Sequence, residues 1–424
     1  MTKVPNRTPA AGHAGPIAAL GTTADRTTYA DTVLHSRRLR RITVGAAMAG
    51  ALVVAGCTSG PSATLDTATV RPTATPTPTA TPTPSPSPTP TATPSPSPSA
   101  TIGSPLNGRP DAESGPVLVV KLDNTQNAQP HAGLVKADVV YVEEVEYGIT
   151  RLAAVFSSQV PTRIGPVRSA RITDIDLLAQ YGRPAFAFSG AQRRMWPILA
   201  AAPFYDISPL HGDQGYSRDG SRPAPYNYYL DGRVGLSRAP KASAAHDMGF
   251  AFDVSVPPGG LVARTADMRW GFSSAAFAYD RGTGLYEVSL NDQRARAEEA
   301  DRGQNAATVV IQYVKQTPSV FFDKDGGNTP HAHTIGTGRA WVLRDGRAWK
   351  TTWSRPSAEG GTTFTLPDGS VLPFKPGQVW IVLLDRQRSA DLEPLTEPRV
   401  SPTPTAAAAA SPAASADGSA SPRP

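Results

Sequence analysis

Between Thr58 and Asn107 the chain is mostly Pro, Ser, Thr and Ala, with Thr-Pro and Ser-Pro pairs repeated along it. No other feature limits the fold as strongly, because such a tract buries too little apolar surface to offset the entropy of ordering it. It predicts a disordered stalk, extended to about 3.1 Å per residue where it adopts polyproline II geometry. The Ala/Ser/Pro stretch after about Asp391 reads as a second disordered segment. Globular structure is thereby confined to roughly 280 residues between them, enough for two subdomains with their own cores.

The segment before the stalk reads as an export signal. Arg37, Arg38, Arg40 and Arg41 precede an uncharged run from Ile42 to Gly56. At about 15 residues, weakened by Gly45 and Gly50, that run is shorter than the roughly 20 needed to span a bilayer, so it reads as a cleaved segment. It ends in Val54-Ala55-Gly56-Cys57, which resembles a bacterial lipobox, and the Cys57 thiol is the expected lipid acceptor. Cys57 is the only cysteine in 424 residues, which rules out an internal disulfide. The alternative, an unmodified cysteine, fits poorly beside a flexible tract, because free Cys usually packs in a core. Ser36-Arg37-Arg38-Leu39-Arg40 half-resembles a twin-arginine signal, which leaves Sec and Tat export both open. The residues before His35 form a long n-region and leave room for a later translation start.

The charge balance changes once this segment is removed. The whole chain carries a net +6 and a pI near 9.4, but residues 1–56 hold 7 Lys+Arg and 2 Asp+Glu. The remainder has 34 against 33, a net +1. No footprint for a phosphate backbone survives, and nucleic acid is excluded as a partner.

The expected organisation is a signal peptide over 1–56, a stalk over 57–108, an N-terminal α/β domain over 109–256, a C-terminal β domain over 267–388 and a disordered tail over 389–424. In the first half, Val117 to Leu122 reads as a strand, apolar except for Lys121 and followed by Asp123-Asn124. Val139 to Glu146 and Ile149 to Ser157 read as a strand pair around Tyr147-Gly148. Ser169 resembles an N-cap for a helix running to about Tyr181, and a second helix is expected from about Ala191 to Ala202. Six short β-type runs fill the second half, with hairpin signals at Asp345-Gly346 and Asp368-Gly369. The fold class is α+β, with a mainly antiparallel C-terminal part and a boundary near Val256 to Ala266, where Pro257-Pro258-Gly259-Gly260 interrupts the pattern.

Several segments together carry a resemblance: Leu122-Asp123-Asn124, Ala137 to Tyr141, Glu146, Gly148-Ile149-Thr150-Arg151 and Gly165-Pro166-Val167-Arg168-Ser169-Ala170-Arg171. With Gly336-Thr337-Gly338, Trp353 and Pro376 to Trp380, they resemble the YerB-like lipoprotein family, whose domain has no known function. The resemblance implies a two-domain, lipid-anchored protein and supplies no catalytic residue. Tyr147 stands where a second glycine is expected, and Gln129-Pro130-His131 replaces Arg-Pro-Gln.

Candidate chemistry concentrates at Gly165 to Arg171. Arg168 and Arg171, three apart at an expected helix start, suit a carboxylate or phosphate ligand, with Arg151 and Asn124 close by. The competing reading has these arginines paired internally with Glu143, Glu144 or Glu146. Asp123 and Glu146 are the acid/base candidates if the protein is an enzyme, and a solvated strand edge if it is not. His331 and His333 lie two apart but lack a third metal ligand, so no metal or cofactor is expected. Trp341, Trp349, Trp353 and Trp380 suit either a sugar-binding face or core packing. The expected function is a non-enzymatic lipoprotein at the extracytoplasmic face of the cell membrane, binding a wall component or a membrane-protein partner. Its rivals are an enzyme on an anionic wall polymer or peptide, and a solute-binding lipoprotein.

Overall fold

The computed structural model describes residues 103–300 and 303–393. The signal peptide, Cys57, the stalk up to residue 102 and the tail from residue 394 lie outside them. Leu106 and Asn107, at the end of the expected stalk, are buried, and the Asn107 amide donates to Asp138. Among the described residues no helix is long and apolar enough to cross a membrane.

Twelve strands form the main sheet: β1 Leu118–Asp123, β2 Val139–Glu144, β3 Thr150–Phe156, β4 Ala185–Ala187, β5 Tyr205–Asp206, β6 Leu261–Val262, β7 Thr308–Phe322, β8 Asn328–His333, β9 Gly336–Arg344, β10 Arg347–Arg355, β11 Thr363–Thr365 and β12 Val379–Asp385. Their order is β11-β10-β9-β7-β12-β2-β3-β1-β4-β5, with β8 against β7 and β6 against β10. The fold is α+β, but the two expected halves share this sheet. β12 lies between β7 and β2 and is parallel to both, joining late sequence to early. Its run Val-Trp-Ile-Val-Leu-Leu is buried throughout, as suits a central strand covered on both faces. The expected boundary is also built in: Leu261 pairs with Ala348, and the Trp349 indole donates to the Pro258 carbonyl at 3.0 Å.

A smaller antiparallel sheet, built from Thr265–Arg269, Ser274–Asp280, Leu285–Leu290, Gln293–Arg294, Asn305–Ala306 and Asp391–Glu393, covers one face of the main sheet. Its last strand falls in the expected tail. The other face packs against α1 Ile172–Ala179, α2 Trp196–Ala201 and an aromatic cluster that includes Phe250 and Phe374. The period-two alternation of strands settles which side chains meet α1. Leu118, Val120 and Leu122 point to the small sheet, while Val119 shares the α1 side with its alternates Lys121 and Asp123.

Both helices are shorter than expected. α1 begins at Ile172 because Gly165 to Ser169 is held extended: Asp123 N donates to the Pro166 carbonyl, and Arg168 N to that of Lys121. Arg171 then occupies the N-cap, and the Asp174 carboxylate reaches back to its N–H at 2.6 Å. α2 starts at Trp196 with Pro197 in its first turn, where the missing N–H costs nothing; a 3-10 turn at Arg193–Met195 precedes it.

Candidate functional site

The C-terminal ends of β1 and β2 and the N-terminal end of β3 converge with α1 on a cluster of charges. Arg151, on the central strand of the three, stands opposite Asp123 of β1 on one side and Glu143 of β2 on the other. Deeper in the same layer, Lys121 Nζ contacts Glu143 Oε2 at 2.7 Å and Asp174 Oδ1 at 2.6 Å, with all three side chains fully buried. Sequence reading passed over Lys121 and Asp174. The signal was present, since a lysine inside an otherwise apolar strand needs charged partners when buried.

The acid/base candidates are both held by guanidinium groups. Asp123 Oδ1 accepts from the backbone N–H and hydroxyl of Thr125 at 2.7 and 2.6 Å, and lies 3.7 Å from Arg151 Nη1. Arg168 Nε approaches Asp123 Oδ2 to 2.5 Å, without the alignment of a hydrogen bond. Burial pushes the Asp123 carboxyl up, but Arg151, Arg168 and Thr125 together outweigh it and hold it below the usual range. Glu146 behaves alike: burial raises it, the Arg171 guanidinium overrides this, and the group ends below its ordinary value. Arg171 grips it with two parallel bonds of 2.7 and 2.8 Å, and the Thr329 hydroxyl donates to the same carboxylate.

Arg168 and Arg171 therefore differ. Arg171 also donates to the carbonyls of Ser169 and Ala170, so its fork is occupied. Arg151 spends one N–H on the Thr150 carbonyl at 3.1 Å, and the Arg168 guanidinium makes no aligned hydrogen bond among the described residues. These two guanidiniums flank Asp123 with side chains 8% and 25% exposed, which leaves unspent donors in a largely desolvated place. Burial draws Arg151 below its usual value; Asp123 opposes the shift, and the Arg168 and Arg171 charges add to it. An added anion would relieve that crowding. Asn124 faces elsewhere, its amide donating to Thr150 Oγ1 at 2.7 Å and its backbone carbonyl accepting from Asn291.

Matches to two domains of one family span this site. The N-terminal domain of a protein of unknown function, DUF3048, matches residues 103–245, and its C-terminal domain matches residues 266–381. The chain belongs to this family. A Bacillus subtilis (strain 168) member named "Putative lipoprotein YerB" is 27% identical over 284 residues, covering 63% of this chain and 81% of its own. The crystal structure of the YerB protein from Bacillus subtilis superposes with a TM-score of 0.56 at 22% identity, covering 68% of this chain and 99% of the other. Within the family framework, the charged cluster belongs to the N-terminal domain except for Thr329, which the C-terminal domain supplies to Glu146.

The other sequence candidates separate from this cluster. His331 Nε2 lies 3.2 Å from Asp176 Oδ2, and His333 Nε2 lies 2.9 Å from the Thr317 hydroxyl. Among the described residues no group of three or more His, Cys, Asp or Glu is placed to hold a metal. Trp349, Trp353 and Trp380 are core residues, and Trp341 is half-buried beneath Lys350, so the four make no common sugar-binding face. His131 was missed as a positioning group: wholly buried, its Nε2 meets the Asp123 carbonyl at 2.7 Å.

Proposed function

We propose that this chain is a cell-envelope lipoprotein, tethered to the outer face of the cytoplasmic membrane by lipid on Cys57, whose module binds an anionic wall component or membrane-protein partner between Arg151 and Arg168 without turning it over. The observation that carries the preference for binding is the state of the two acid/base candidates. Asp123 and Glu146 are both held below the usual carboxylate range by adjacent guanidiniums, whereas proton transfer near neutral pH needs a carboxyl tuned upward, and the one so tuned in the cluster, Glu143, is fully buried against Lys121. The relative's name supports the anchor, and the lipobox at Val54 to Cys57 supplies its chemistry. A stalk and a tether also suit a protein that positions a partner.

Affinity capture with crosslinking from intact cells, run beside a digestion assay on purified muropeptides, tests the reading. A stable partner with no released fragments is expected. Fragments released by the wild type and not by Asp123→Asn would establish the enzyme instead.

A further inference from the structure

Three turns from distant parts of the sequence meet beside the charged cluster. The Tyr147 hydroxyl bonds the Asp325 carbonyl at 2.8 Å, its ring lies against Gly327, and Phe272 N donates to the Gly148 carbonyl at 3.0 Å. Beside the 3-10 turn Glu146–Gly148, Ile149 lines a cleft of about 580 Å³ and Glu146 a second of about 470 Å³. Each cleft presents an exposed aromatic ring, Phe272 at 77% in the first and Phe322 at 48% in the second, and Tyr147, 45% exposed, stands on the turn between Glu146 and Ile149. Three exposed aromatics on chain segments that meet call for an occupant, since scattered single residues would not.

The surrounding polar groups indicate its chemistry. Thr125, Gln126 and Asn291 line the first cleft, and Ser169, Gln192 and Thr329 the second, offering hydroxyls and amides that both donate and accept. Most charges here are paired, Arg269 with Asp292 at 2.9 Å, Glu146 with Arg171 at 2.7 Å and Lys324 with Asp325 at 3.1 Å, with the exposed Arg193 of the second cleft outside these pairs. Paired carboxylates at the tips oppose insertion into an anionic lipid surface, which favours unpaired cations. Aromatic faces alternating with neutral donors and acceptors fit a chain of sugar rings, whose C–H faces stack while their hydroxyls bond on both sides.

We propose that this face binds a neutral glycan strand, laid across both clefts over Phe272, Tyr147 and Phe322. The site shares Glu146, Arg171 and Thr329 with the charged cluster, but Arg151 and Arg168 line neither cleft, so it is tested apart from them. Titration of the intact protein with the β-1,4-linked hexamer of N-acetylglucosamine, followed by calorimetry, is the test. The hexamer is expected to bind the wild type and Arg168→Ala equally, and Phe272→Ala and Phe322→Ala each to weaken it by roughly tenfold. Both rings are exposed, so unchanged melting temperatures should accompany the loss. Failure of the hexamer to bind, or binding indifferent to both substitutions, overturns the proposal. So does wild-type binding to anionic lipid vesicles, or self-association, that is lost in Phe272→Ala while hexamer binding is not.

Discussion

Arg168 and Arg171 show how three residues of separation divide structure from ligand binding. Arg171 holds Glu146, which is 4% exposed, through both carboxylate oxygens. Arg171→Ala would strand that carboxylate and is expected to cost about 3 to 5 kcal/mol in urea unfolding; a loss under about 1 kcal/mol would contradict the assignment. Glu143 gives a pH signature. Burial, then the Asp174 charge, pushes its carboxyl up to about 7, with Lys121 opposing both. The folded state therefore keeps a proton that the unfolded chain releases between the ordinary carboxylate pKa and about 7, so Glu143 makes stability fall as pH rises through that window. Asp123 and Glu146 act in the opposite sense: their folded values are lowered, and the stabilisation they give above the ordinary carboxylate pKa is lost as pH falls below it. Against the opposite trend set by His131 and His333, whose folded values are lowered, the urea midpoint of the wild type should fall relative to that of Glu143→Gln from about pH 4.5 to 7.5, while parallel curves would show that Glu143 does not titrate there.

Among the elements, strands and their hairpin partners were legible, and distant partners were not. Asp345-Gly346 marked its hairpin because both positions take positive φ, 51° and 72°, in a two-residue turn between β9 and β10. Tyr147, where the family's resemblance suggested glycine, likewise sits at φ 61°. The apolar run of β12 gave a strand but no neighbour, since parallel pairing over more than 200 residues leaves no local trace. Two independent domains were expected for that reason. The helix start at Ser169 was misread because the competing signal was tertiary: the pairing of Arg168 with β1 keeps the segment extended. The site was legible as residue types, Asp123, Glu146, Arg151, Arg168 and Arg171, whereas their pairing depended on the register of β3 between β1 and β2. If β12 completes the sheet, a fragment of residues 103–256 leaves the β2 edge bare. It should show no cooperative urea transition, and a sharp one would restore the two-domain account.

At the scale of the whole molecule, the tether and the arginine pair make separable demands. Metabolic labelling with a fatty-acid probe should mark the wild type, and Cys57→Ala should lose both the label and membrane retention; a variant still in the membrane pellet would mean that the segment before Cys57 spans the bilayer. The central claim concerns what the folded module does with Arg151 and Arg168. The most direct measurement is the melting temperature of wild type and Arg168→Ala with and without carboxylate-bearing muropeptides, the fragments being recovered afterwards. Binding to the native state alone raises the transition. The account predicts a ligand-dependent rise in the wild type, none in Arg168→Ala, whose ligand-free melting is itself lowered because buried Asp123 loses its nearest cation, and fragments recovered intact. A wild type that gains no stability from the fragments, or that returns them cleaved, would contradict it.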